Sequence, residues 1–549
     1  MRLLLCHGYP LKGTGSNQYV QNLARALCRA GHSVVVFCQE SEPDLDFVSS
    51  YMREKASVGS GHLVWERDTT YPGPCMVYQP FIGGLLPVYV KDSYDGFEVE
   101  EFAGLGDEKL RRYIDLNARS LEKLIERFAP LLIQSNHAVM MPYIVRLATR
   151  KSGVPYFVSL HGSAIEFAVK RDDRFLLYGA EGLQGACRVF APSDHTRKQA
   201  LEVFEKHVPG LREKIAVLPL GVDTDMFAPP SCGLAESVEE LLRKVRRRTE
   251  NVAVGRFTSG ELDHPDPGNP ADIKKYTAEV LARSPDWLPD PSLSRKLSRL
   301  AENGGPFVVF LGKLLETKGV QCALPALPLL ARDHPGVSLV IIGFGEFRGI
   351  LELMVSALGE GDLKGLKALC HYGDEHYALT PAPFFPVTRF LDELSAEGAL
   401  GEYLDTCRAS GIGDRVLFTG YLTPEEHRYL LPHARALLVP SIAPEAFGLV
   451  ALEAMACGVT PVASSHSGLS TALAPLREAW GDQAGELLLD TPEKLVFGIA
   501  AACSKLLSMP DEELRIKGLM MREVVQRGAS WDAVARRMLS LLTGAEGAK

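Results

Sequence analysis

Long apolar runs are missing from this sequence, and so is any excess of positive charge. No stretch approaches the ~18 apolar residues that a membrane-spanning helix needs, and residues 1–6 lead into a strand pattern rather than a signal peptide. The 59 Lys and Arg residues are outnumbered by 68 Asp and Glu residues, giving a net charge of −9. Because nucleic-acid binders carry a basic surface, this balance argues against a nucleic-acid partner. We therefore expect a cytoplasmic protein with at most peripheral membrane contact.

The sequence also lacks a recognisable disulfide or metal-binding pattern. Its eleven cysteines are an odd number, and Cys6, Cys38 and Cys457 stand inside apolar runs. Such cysteines are typical of small core residues in a reducing compartment. One group of possible ligands, residues 370–376 (CHYGDEH), does not have the spacing of a known zinc site. A metal there is the weaker interpretation, and we predict none.

The composition is that of an ordinary globular protein, and strand patterns alternate with helix patterns along the sequence. Hydrophobic residues make up 46% of the 549 positions and charged residues 23%, and the length allows two to four domains. An apolar strand at residues 2–6, a helix at 19–30 and a second strand at 33–38 indicate a Rossmann-like opening. Between the first two lies Gly13-Thr14-Gly15, whose backbone N–H groups could face a phosphate or a sugar.

This opening is an incomplete dinucleotide fingerprint. Gln18 stands where the third glycine belongs, and the loop is too long for the usual turn. Glu40 does lie where an acid could bind a ribose, so an NAD-binding site remains an alternative interpretation. The following residues, 41–105, are predicted to be irregular and aromatic, with rings that fill a satellite core or stack on a sugar.

The most informative stretch is residues 440–458 (PSIAPEAFGLVALEAMACG), which follows a buried strand at 436–440. Glu445 and Glu453 are eight residues apart, or roughly 10–12 Å across a helix start. Paired glycosidase carboxylates need about 5–9.5 Å, so these two are better placed to hold two ends of a long ligand. Between them the free N–H groups of Phe447, Gly448 and Leu449 favour a phosphate. The pattern indicates a nucleotide sugar; the alternative is a βα unit whose glutamates are solvated or cap the helix.

The same stretch resembles the retaining glycosyltransferases of family 4, whose E-x7-E motif matches Glu445 and Glu453. The resemblance implies an α/β GT-B fold, with two Rossmann-like domains facing each other across a cleft. It further implies that Glu445 contacts the donor sugar's hydroxyls and Glu453 holds the ribose. Phe447, Gly448 and Leu449 then belong to the donor-binding site.

The resemblance extends to other strand ends. It implies that His161, after the strand predicted at 154–160, lies near the transferred sugar, and that the Gly13 and Gly15 loop lies beside the donor. In the family an arginine and a lysine five residues apart grip the diphosphate. Here Lys313 and Lys318 occupy those places, so the first cation lacks the bidentate guanidinium fork.

Three more donor-binding residues follow from the resemblance. Gly343 belongs to a glycine loop beside the nucleotide, and the main chain near Tyr421 and Leu422 is where the base would be recognised. We predict an acceptor-side domain at 1–225, an insertion or crossover at 226–305, a nucleotide-sugar-binding domain at 306–528 and a returning helix at 529–549. The basic run 243–248 is predicted to be a solvated helix face. A second insertion lies near 351–405.

These observations predict a retaining hexosyltransferase that moves glucose or mannose from a nucleoside diphosphate sugar, with UDP-glucose as the first candidate donor. The catalytic residues would be His161, Lys313, Lys318 and Glu445. The acceptor would be a sugar, polyol or glycolipid hydroxyl, with no cofactor beyond the nucleotide sugar, and the protein could form a homo-oligomer. The alternatives are a UDP-sugar 2-epimerase on the same fold and a non-catalytic nucleotide-sugar-binding protein.

Overall fold

The computed structural model describes residues 1–13, 15–89, 94, 96–250, 265–283 and 287–543. The chain forms two compact units, Met1–Gly221 with Gly528–Lys549 and Val222–Arg527, called here the first and the second unit. Each contains its own largely parallel sheet with helices between the strands, as the sequence predicted. Thr14 of the predicted glycine loop, parts of the predicted insertion (251–264 and 284–286) and the last six residues lie outside the described residues.

The first unit is built on a nine-stranded sheet in the order β11-β10-β9-β8-β1-β2-β5-β3-β4. Neighbouring strands are parallel except for β3 and β4, which are antiparallel. A separate parallel pair is formed by β6 and β7. The strands are β1 Arg2–Cys6, β2 Ser33–Phe37, β3 Ser50–Arg53, β4 His62–Glu66, β5 Cys75–Gln79, β6 Leu85–Val88, β7 Glu98–Glu101, β8 Leu132–Asn136, β9 Tyr156–Ser159, β10 Arg188–Ala191 and β11 Ile215–Val217.

The prediction that residues 41–105 are irregular was wrong. This region contributes β3 to β7, and its aromatic residues Tyr51, Trp65 and Tyr78 lie on β3, β4 and β5. The Tyr51 and Trp65 rings approach each other across the β3–β4 pair, with centroids 6.2 Å apart. Aromatic side chains favour strands because they pack on a half-buried pleated surface. The strands are short and widely spaced, which concealed their alternating pattern in the sequence.

The helices of the first unit cover its sheet, and the last of them comes from the far end of the chain. Trp531, in the helix Trp531–Thr543, meets Tyr19 of the helix Ser16–Arg29 with ring centroids 5.5 Å apart. Arg29 and Asp532 form an ion pair of 3.1 Å between the same helices. The longer helices are Ser16–Arg29, Asp107–Phe128, Met141–Thr149, Asp173–Gly185, Asp194–Phe204 and Trp531–Thr543, and shorter helical turns are Phe102–Gly104, Gly162–Ala164, Ile165–Val169 and Leu211–Lys214.

The second unit is built on a six-stranded, entirely parallel sheet in the order β14-β13-β12-β15-β16-β17. Its central strands β12 and β15 are continuous apolar runs, and β13 is apolar after its first residue, as expected for a parallel sheet buried on both faces. The strands are β12 Phe307–Leu311, β13 Ser338–Ile342, β14 Val416–Gly420, β15 Ala436–Val439, β16 Thr460–Ser464 and β17 Leu488–Leu489.

Both stretches interpreted as insertions are mainly helical where the structure describes them, and both pack within the second unit. The first contains Leu234–Thr249, Pro270–Arg283 and Leu293–Asn303; the second contains Arg348–Glu360, Leu363–His376, Phe385–Ala396 and Leu400–Ser410. The remaining helical segments of the unit are Glu316–Lys318, Val320–Asp333, Ile412–Arg415, Pro424–His427, Leu431–His433, Leu449–Ala456, Leu469–Ala472, Ala474–Trp480, Gly481–Leu487, Pro492–Lys494, Leu495–Ser508 and Asp511–Gly528.

The cysteines are free thiols, and most of them are buried. In the group at 370–376, Cys370 is buried, His371 pairs with Glu375 at 3.4 Å, and an Asp374 oxygen accepts a hydrogen bond from the Phe384 N–H. Within the described ranges, no three His, Cys, Asp or Glu side chains come together as a metal would require. No helix in the described part of the chain is long and apolar enough to span a bilayer.

Candidate functional site

A half-buried ion pair lies at the carboxyl edge of the second unit's sheet, where ligands of open α/β sheets bind. Lys318 follows β12 and Glu445 follows β15, and their Nζ and Oε1 atoms are 2.9 Å apart. The Glu445 side chain is only 14% exposed, and the Ser441 hydroxyl donates a second hydrogen bond to it. Burial alone would raise the pKa of Glu445, but the Lys318 charge and the Ser441 hydrogen bond outweigh burial and hold this pKa below its usual value, so the carboxylate stays ionised.

The loop that carries Glu445 is held by the loop after β16. The Glu445 N–H donates to the Ser467 hydroxyl at 2.9 Å, and the Gly468 N–H donates to the Glu445 carbonyl at 2.8 Å. A Cβ at Gly468 would lie 2.1 Å from the Ala446 carbonyl oxygen, so only glycine allows this approach. His466 adds a hydrogen bond of 2.8 Å between its Nε2 and the Ser441 carbonyl. Glu445 is therefore fixed by its backbone as well as by its charge partner.

Directly after Glu445 the chain offers unpaired amides. The helix begins at Leu449, and Gly448 precedes it with a φ of 108°. In the described part of the chain, the N–H groups of Phe447, Gly448 and Leu449 have no hydrogen-bond partner. Unpaired amides at a helix start favour the binding of an anion. Lys318, at the same carboxyl edge of the sheet, adds a positive charge that favours it further.

Glu453 lies one turn into this helix and has a different environment. Its side chain is 8% exposed, and no cation or hydrogen-bond donor is found for its carboxyl group among the described residues. Burial raises the pKa of Glu453 to about 7. The two glutamates of the motif are therefore unlike: Glu445 is held ionised, whereas Glu453 is poised between its two protonation states near neutral pH.

Lys313 lies beside aromatic rings rather than beside a carboxylate. Its Nζ is 5.9 Å from the ring centroid of Trp287 and 5.7 Å from that of Phe344. Such contacts are weak cation–π interactions, so the lysine is free to turn toward an anion. Lys313 and Lys318 both follow β12 and so belong to the same edge of the sheet.

Gly343 and Tyr421 have their backbone N–H groups already engaged. The Gly343 N–H donates to the Gly420 carbonyl at 3.1 Å, and a Cβ at Gly343 would lie 1.9 Å from the Gly312 oxygen. The Tyr421 N–H donates to the Leu288 carbonyl at 2.9 Å. Gly343 therefore serves the close packing of strand ends, while Tyr421 presents mainly its ring; Leu422, which follows it, is buried.

Gly319 provides a test of how closely these loops must approach each other. Its φ is 73°, and an added Cβ would lie 1.9 Å from the Pro440 carbonyl oxygen, next to both Lys318 and the Glu445 loop. We expect Gly319→Ala to lower the free energy of unfolding by about 2–4 kcal/mol, from left-handed strain and the forced shift of a packed loop. Urea unfolding measures this. Gly413→Ala is the matched control because a Cβ there meets nothing within 4 Å; an equal loss in both variants would contradict the prediction.

The first unit carries a separate polar cluster at the carboxyl edge of its own sheet. His161 follows β9, and its Nε2 is 3.0 Å from the Asn136 Oδ1. Its ring lies 4.6 Å from that of His137, which follows β8, and His137 in turn lies 5.8 Å from His7, which follows β1. Burial, with the nearby His7, lowers the pKa of His161 to about 3, and burial lowers that of His7 to about 4. All three imidazoles are therefore uncharged at neutral pH, since burial and the other two rings also hold the pKa of His137 well below its usual value.

His7 and His137 were missed from the sequence. Neither ring nitrogen of the buried His137 has a hydrogen-bond partner within the described ranges, so its capacity to donate and accept is unused. The signal available was position: His7 and His137 each directly follow a strand of the sheet, much as His161 follows β9.

The predicted glycine loop opens the first helix of this unit. Gly13 has a φ of 132° and Gly15 a φ of 58°, and a Cβ at Gly13 would lie 2.6 Å from the Asn17 amide nitrogen. The Glu40 carboxylate accepts hydrogen bonds from the backbone N–H groups of Leu11 and Lys12, both at 3.1 Å, and of Glu42 at 3.2 Å. Since its oxygens hold the loop in place, Glu40 is a structural residue and the NAD interpretation loses its ribose-binding acid.

Comparison with known proteins agrees with these two units. The family model described as Glycosyltransferase Family 4 matches residues 13–226, and the one described as Glycosyl transferases group 1 matches residues 401–480. The chain belongs to glycosyltransferase family 4. The second match contains both glutamates and the amides between them, and the first contains His161 and the glycine loop.

Curated relatives of this family 4 chain are distant. A D-inositol 3-phosphate glycosyltransferase from Segniliparus rotundus is 28% identical over 42% of the chain and 38% of the relative. A GDP-mannose-dependent alpha-(1-6)-phosphatidylinositol monomannoside mannosyltransferase from Mycobacterium tuberculosis is 26% identical over 48% of the chain and 54% of the relative. The chain thus spans about half or less of the length of these relatives.

Solved structures extend the likeness over the whole chain. Sucrose-phosphate synthase from Thermosynechococcus elongatus matches with a TM-score of 0.52 and 18% identity, covering 100% of both chains. Anabaena HepE, solved in complex with UDP and glucose, matches with a TM-score of 0.52 and 12% identity, covering 99% of this chain and 100% of its own. At these identities the likeness concerns the fold alone, and it confirms the predicted GT-B fold.

Proposed function

We propose that this protein transfers a hexosyl group from a nucleoside diphosphate sugar to an acceptor hydroxyl, with retention of configuration at the anomeric carbon. The observation that carries the proposal is the Lys318–Glu445 pair, which lies beside the unpaired amides of Phe447, Gly448 and Leu449. A cation and free amides at one sheet edge suit a diphosphate, and an ionised carboxylate beside them suits sugar hydroxyls.

The leaving diphosphate would be stabilised by positive groups of the second unit. Lys318 and the three amides receive the negative charge that develops as the sugar leaves, and Lys313 turns from its aromatic neighbours to join them. Lys313 supplies charge without the two parallel hydrogen bonds of an arginine, so its contact is the weaker one. In this proposal the nucleotide sugar is a co-substrate, and the lysines do the electrostatic work that a metal ion does in other transferases.

The sugar and the ribose would be held by the carboxylates. Glu445 accepts hydrogen bonds from donor-sugar hydroxyls, and its ionised state makes those bonds strong. Glu453 accepts from the ribose hydroxyls. We assign to His161 a contact with the transferred sugar, which an uncharged imidazole makes by donating or accepting one hydrogen bond.

In the reaction the bond between the anomeric carbon and the diphosphate oxygen breaks, and a bond to the acceptor oxygen forms on the same face. The acceptor's proton passes to the departing phosphate oxygen, so no protein base is required. Trapping of a covalent glycosyl–enzyme adduct would contradict this route.

We propose UDP-glucose as the first donor to test, followed by GDP-mannose and ADP-glucose. Similar proteins include an enzyme named as GDP-mannose-dependent and a structure solved in complex with UDP-glucose, so both donors have precedent among them. The acceptor is proposed to be a hydroxyl of a sugar, polyol or glycolipid.

The test is to incubate purified protein with each donor, alone and with an acceptor panel, and to follow nucleoside diphosphate release and product mass. We expect slow release from one donor alone, and faster release with a new hexosylated product when an acceptor is present. Proton NMR of the donor incubated alone separates the alternatives. A new epimer of the donor sugar would favour an epimerase, and tight donor binding without any turnover would favour a non-catalytic binding protein; either result would overturn the transferase proposal.

A further inference from the structure

A short segment between the helices Pro270–Arg283 and Leu293–Asn303 lies directly against the end of β14. Pro289 forms an antiparallel bridge with Gly420, and the Asp290 N–H donates to the Thr419 carbonyl at 2.7 Å. Gly420 has a φ of 68°, and a Cβ there would lie 2.5 Å from the Asp290 nitrogen and 2.7 Å from the Leu288 oxygen. The contact is therefore one between two backbones, and a larger residue at Gly420 would push them apart.

Charged groups hold this segment, residues 287–290, in place. The Asp290 carboxylate is buried and pairs with Lys296 at 3.1 Å and with Arg348 of the neighbouring helix Arg348–Glu360. Burial would raise the pKa of Asp290, but the two cations outweigh it and lower the pKa to about 2. A buried carboxylate with two cationic partners at these distances fixes its own backbone in one position.

A second anchor reaches the segment from the helix Leu234–Thr249. Arg248 donates to the Trp287 carbonyl at 2.9 Å and forms a bidentate pair with Glu426, at 2.7 and 3.0 Å. Its guanidinium carbon also lies 5.6 Å from the Tyr421 ring centroid. This insertion is thus tied to the carboxyl edge of the sheet from two sides, as a built part of that edge.

The segment places Trp287 among the aromatic residues that follow β13 and β14. The Trp287 ring centroid is 4.7 Å from that of Phe344 and 5.0 Å from that of Tyr421, and the latter two are 5.2 Å apart. Trp287 is half-buried, and the ammonium of Lys313 lies within reach of its ring. Phe344, Tyr421 and Lys313 follow the adjoining strands β13, β14 and β12, so the three aromatic rings lie on the β14 side of the ion pair formed by Lys318 and Glu445.

We propose that Trp287 is the base-stacking residue of the nucleotide site, so that the insertion, and not the Rossmann-like core alone, builds the pocket for the nucleobase. The inference rests on the proposed function. Every nucleobase has a flat π-face that stacks on aromatic rings, whereas the Tyr421 N–H, which could read a base edge, is already bonded to Leu288. Lys313, which contacts the ring now, would turn to the diphosphate attached to the stacked nucleoside.

The test compares a ligand that has a base with one that has none. Calorimetry should show that Trp287→Ala weakens binding of UDP, GDP or ADP, whichever the wild type prefers, by about 5- to 150-fold. Binding of inorganic pyrophosphate should stay within about threefold because the lysines and amides remain. Trp287→Phe, which keeps a ring, should recover most of the loss.

Tryptophan fluorescence supplies a second readout. The chain has four tryptophans, and we expect nucleotide to quench part of the wild-type emission. Trp287→Phe should remove that quenching, whereas Trp480→Phe, a buried tryptophan of the same unit, should retain it. A thermal melt of each variant verifies that it is folded.

The possible results bear separately on the proposed function and on the role of Trp287. A wild type that binds neither nucleotide nor pyrophosphate would overturn the proposed function and this inference together. A wild type that binds nucleotide, with Trp287→Ala binding it equally well, would overturn the inference alone. A proportional loss of nucleotide and pyrophosphate binding would make Trp287 a structural residue and also overturn it.

Discussion

Glu445→Gln is expected to reduce kcat by roughly 10²- to 10³-fold, the loss typical of removing a preorganised electrostatic contact. Glutamine keeps the size of the side chain and one acceptor oxygen but removes the charge that pairs with Lys318 at 2.9 Å. The donor sugar then loses a charge-assisted partner. Steady-state kinetics with the preferred donor and acceptor measures the change.

Two comparisons make this prediction specific. Lys318→Ala should raise the KM for the donor and lower kcat as well, because it removes a charge that binds the diphosphate and stabilises it as it leaves, while Glu445 remains hydrogen-bonded to Ser441. Glu523→Gln, a change at an exposed glutamate of the same unit, should leave both parameters as in the wild type. Full turnover in Glu445→Gln would exclude a role for this residue in the reaction.

Glu453→Gln is expected to stabilise the protein at pH 8 by up to about 3 kcal/mol relative to wild type, and much less at pH 4.5. The folded protein holds the Glu453 proton until the pH reaches about 7, whereas the unfolded chain releases it near the usual value of 4.5. The contribution of the protonated Glu453 side chain to the free energy of unfolding is therefore complete below pH 4.5. It is lost as the pH rises to about 7. Glutamine has no such titration.

The difference between wild type and variant, measured by urea unfolding from pH 4.5 to 8, isolates this one group from the others. Glu523→Gln again provides the control, since its side chain is exposed and its curve should run parallel to that of wild type. Parallel curves for Glu453→Gln would mean that the carboxyl group is not buried as described. The same variant should bind the nucleoside diphosphate more weakly, because an amide is a poorer acceptor for ribose hydroxyls than a carboxylate.

The parallel core of both units was predictable because its signal is local. The strand predicted at residues 2–6 has those bounds, and the strands predicted at 33–38 and 436–440 each end one residue earlier than predicted, since continuous apolar runs leave little choice. The strands β3 to β7 were not predicted, because four- and five-residue strands within long loops are defined by their partners rather than by their own pattern.

The site was predictable where one motif contains it and unpredictable where it is assembled from distant segments. Glu445, Gly448 and Glu453 stand close together in the sequence, and the unpaired amides between them follow from a helix start. Trp287 and Gly420 are over a hundred residues apart, and their neighbourhood depends on a backbone bridge that no local pattern encodes. Opposite shifts in the pKa of the two glutamates likewise come from tertiary burial, which differs for each of them.

The position of the helix Trp531–Thr543 in the chain determines the order in which the two units can fold during translation. Trp531, Val534 and Met538 belong to the same apolar core as Leu23 and Leu27 of the helix Ser16–Arg29, although some five hundred positions of chain are translated between them. On the ribosome, residues 1–221 must wait with that core face uncovered until the last helix leaves the exit tunnel. The second unit, being continuous in the chain, is under no such delay and can fold before the first unit is finished.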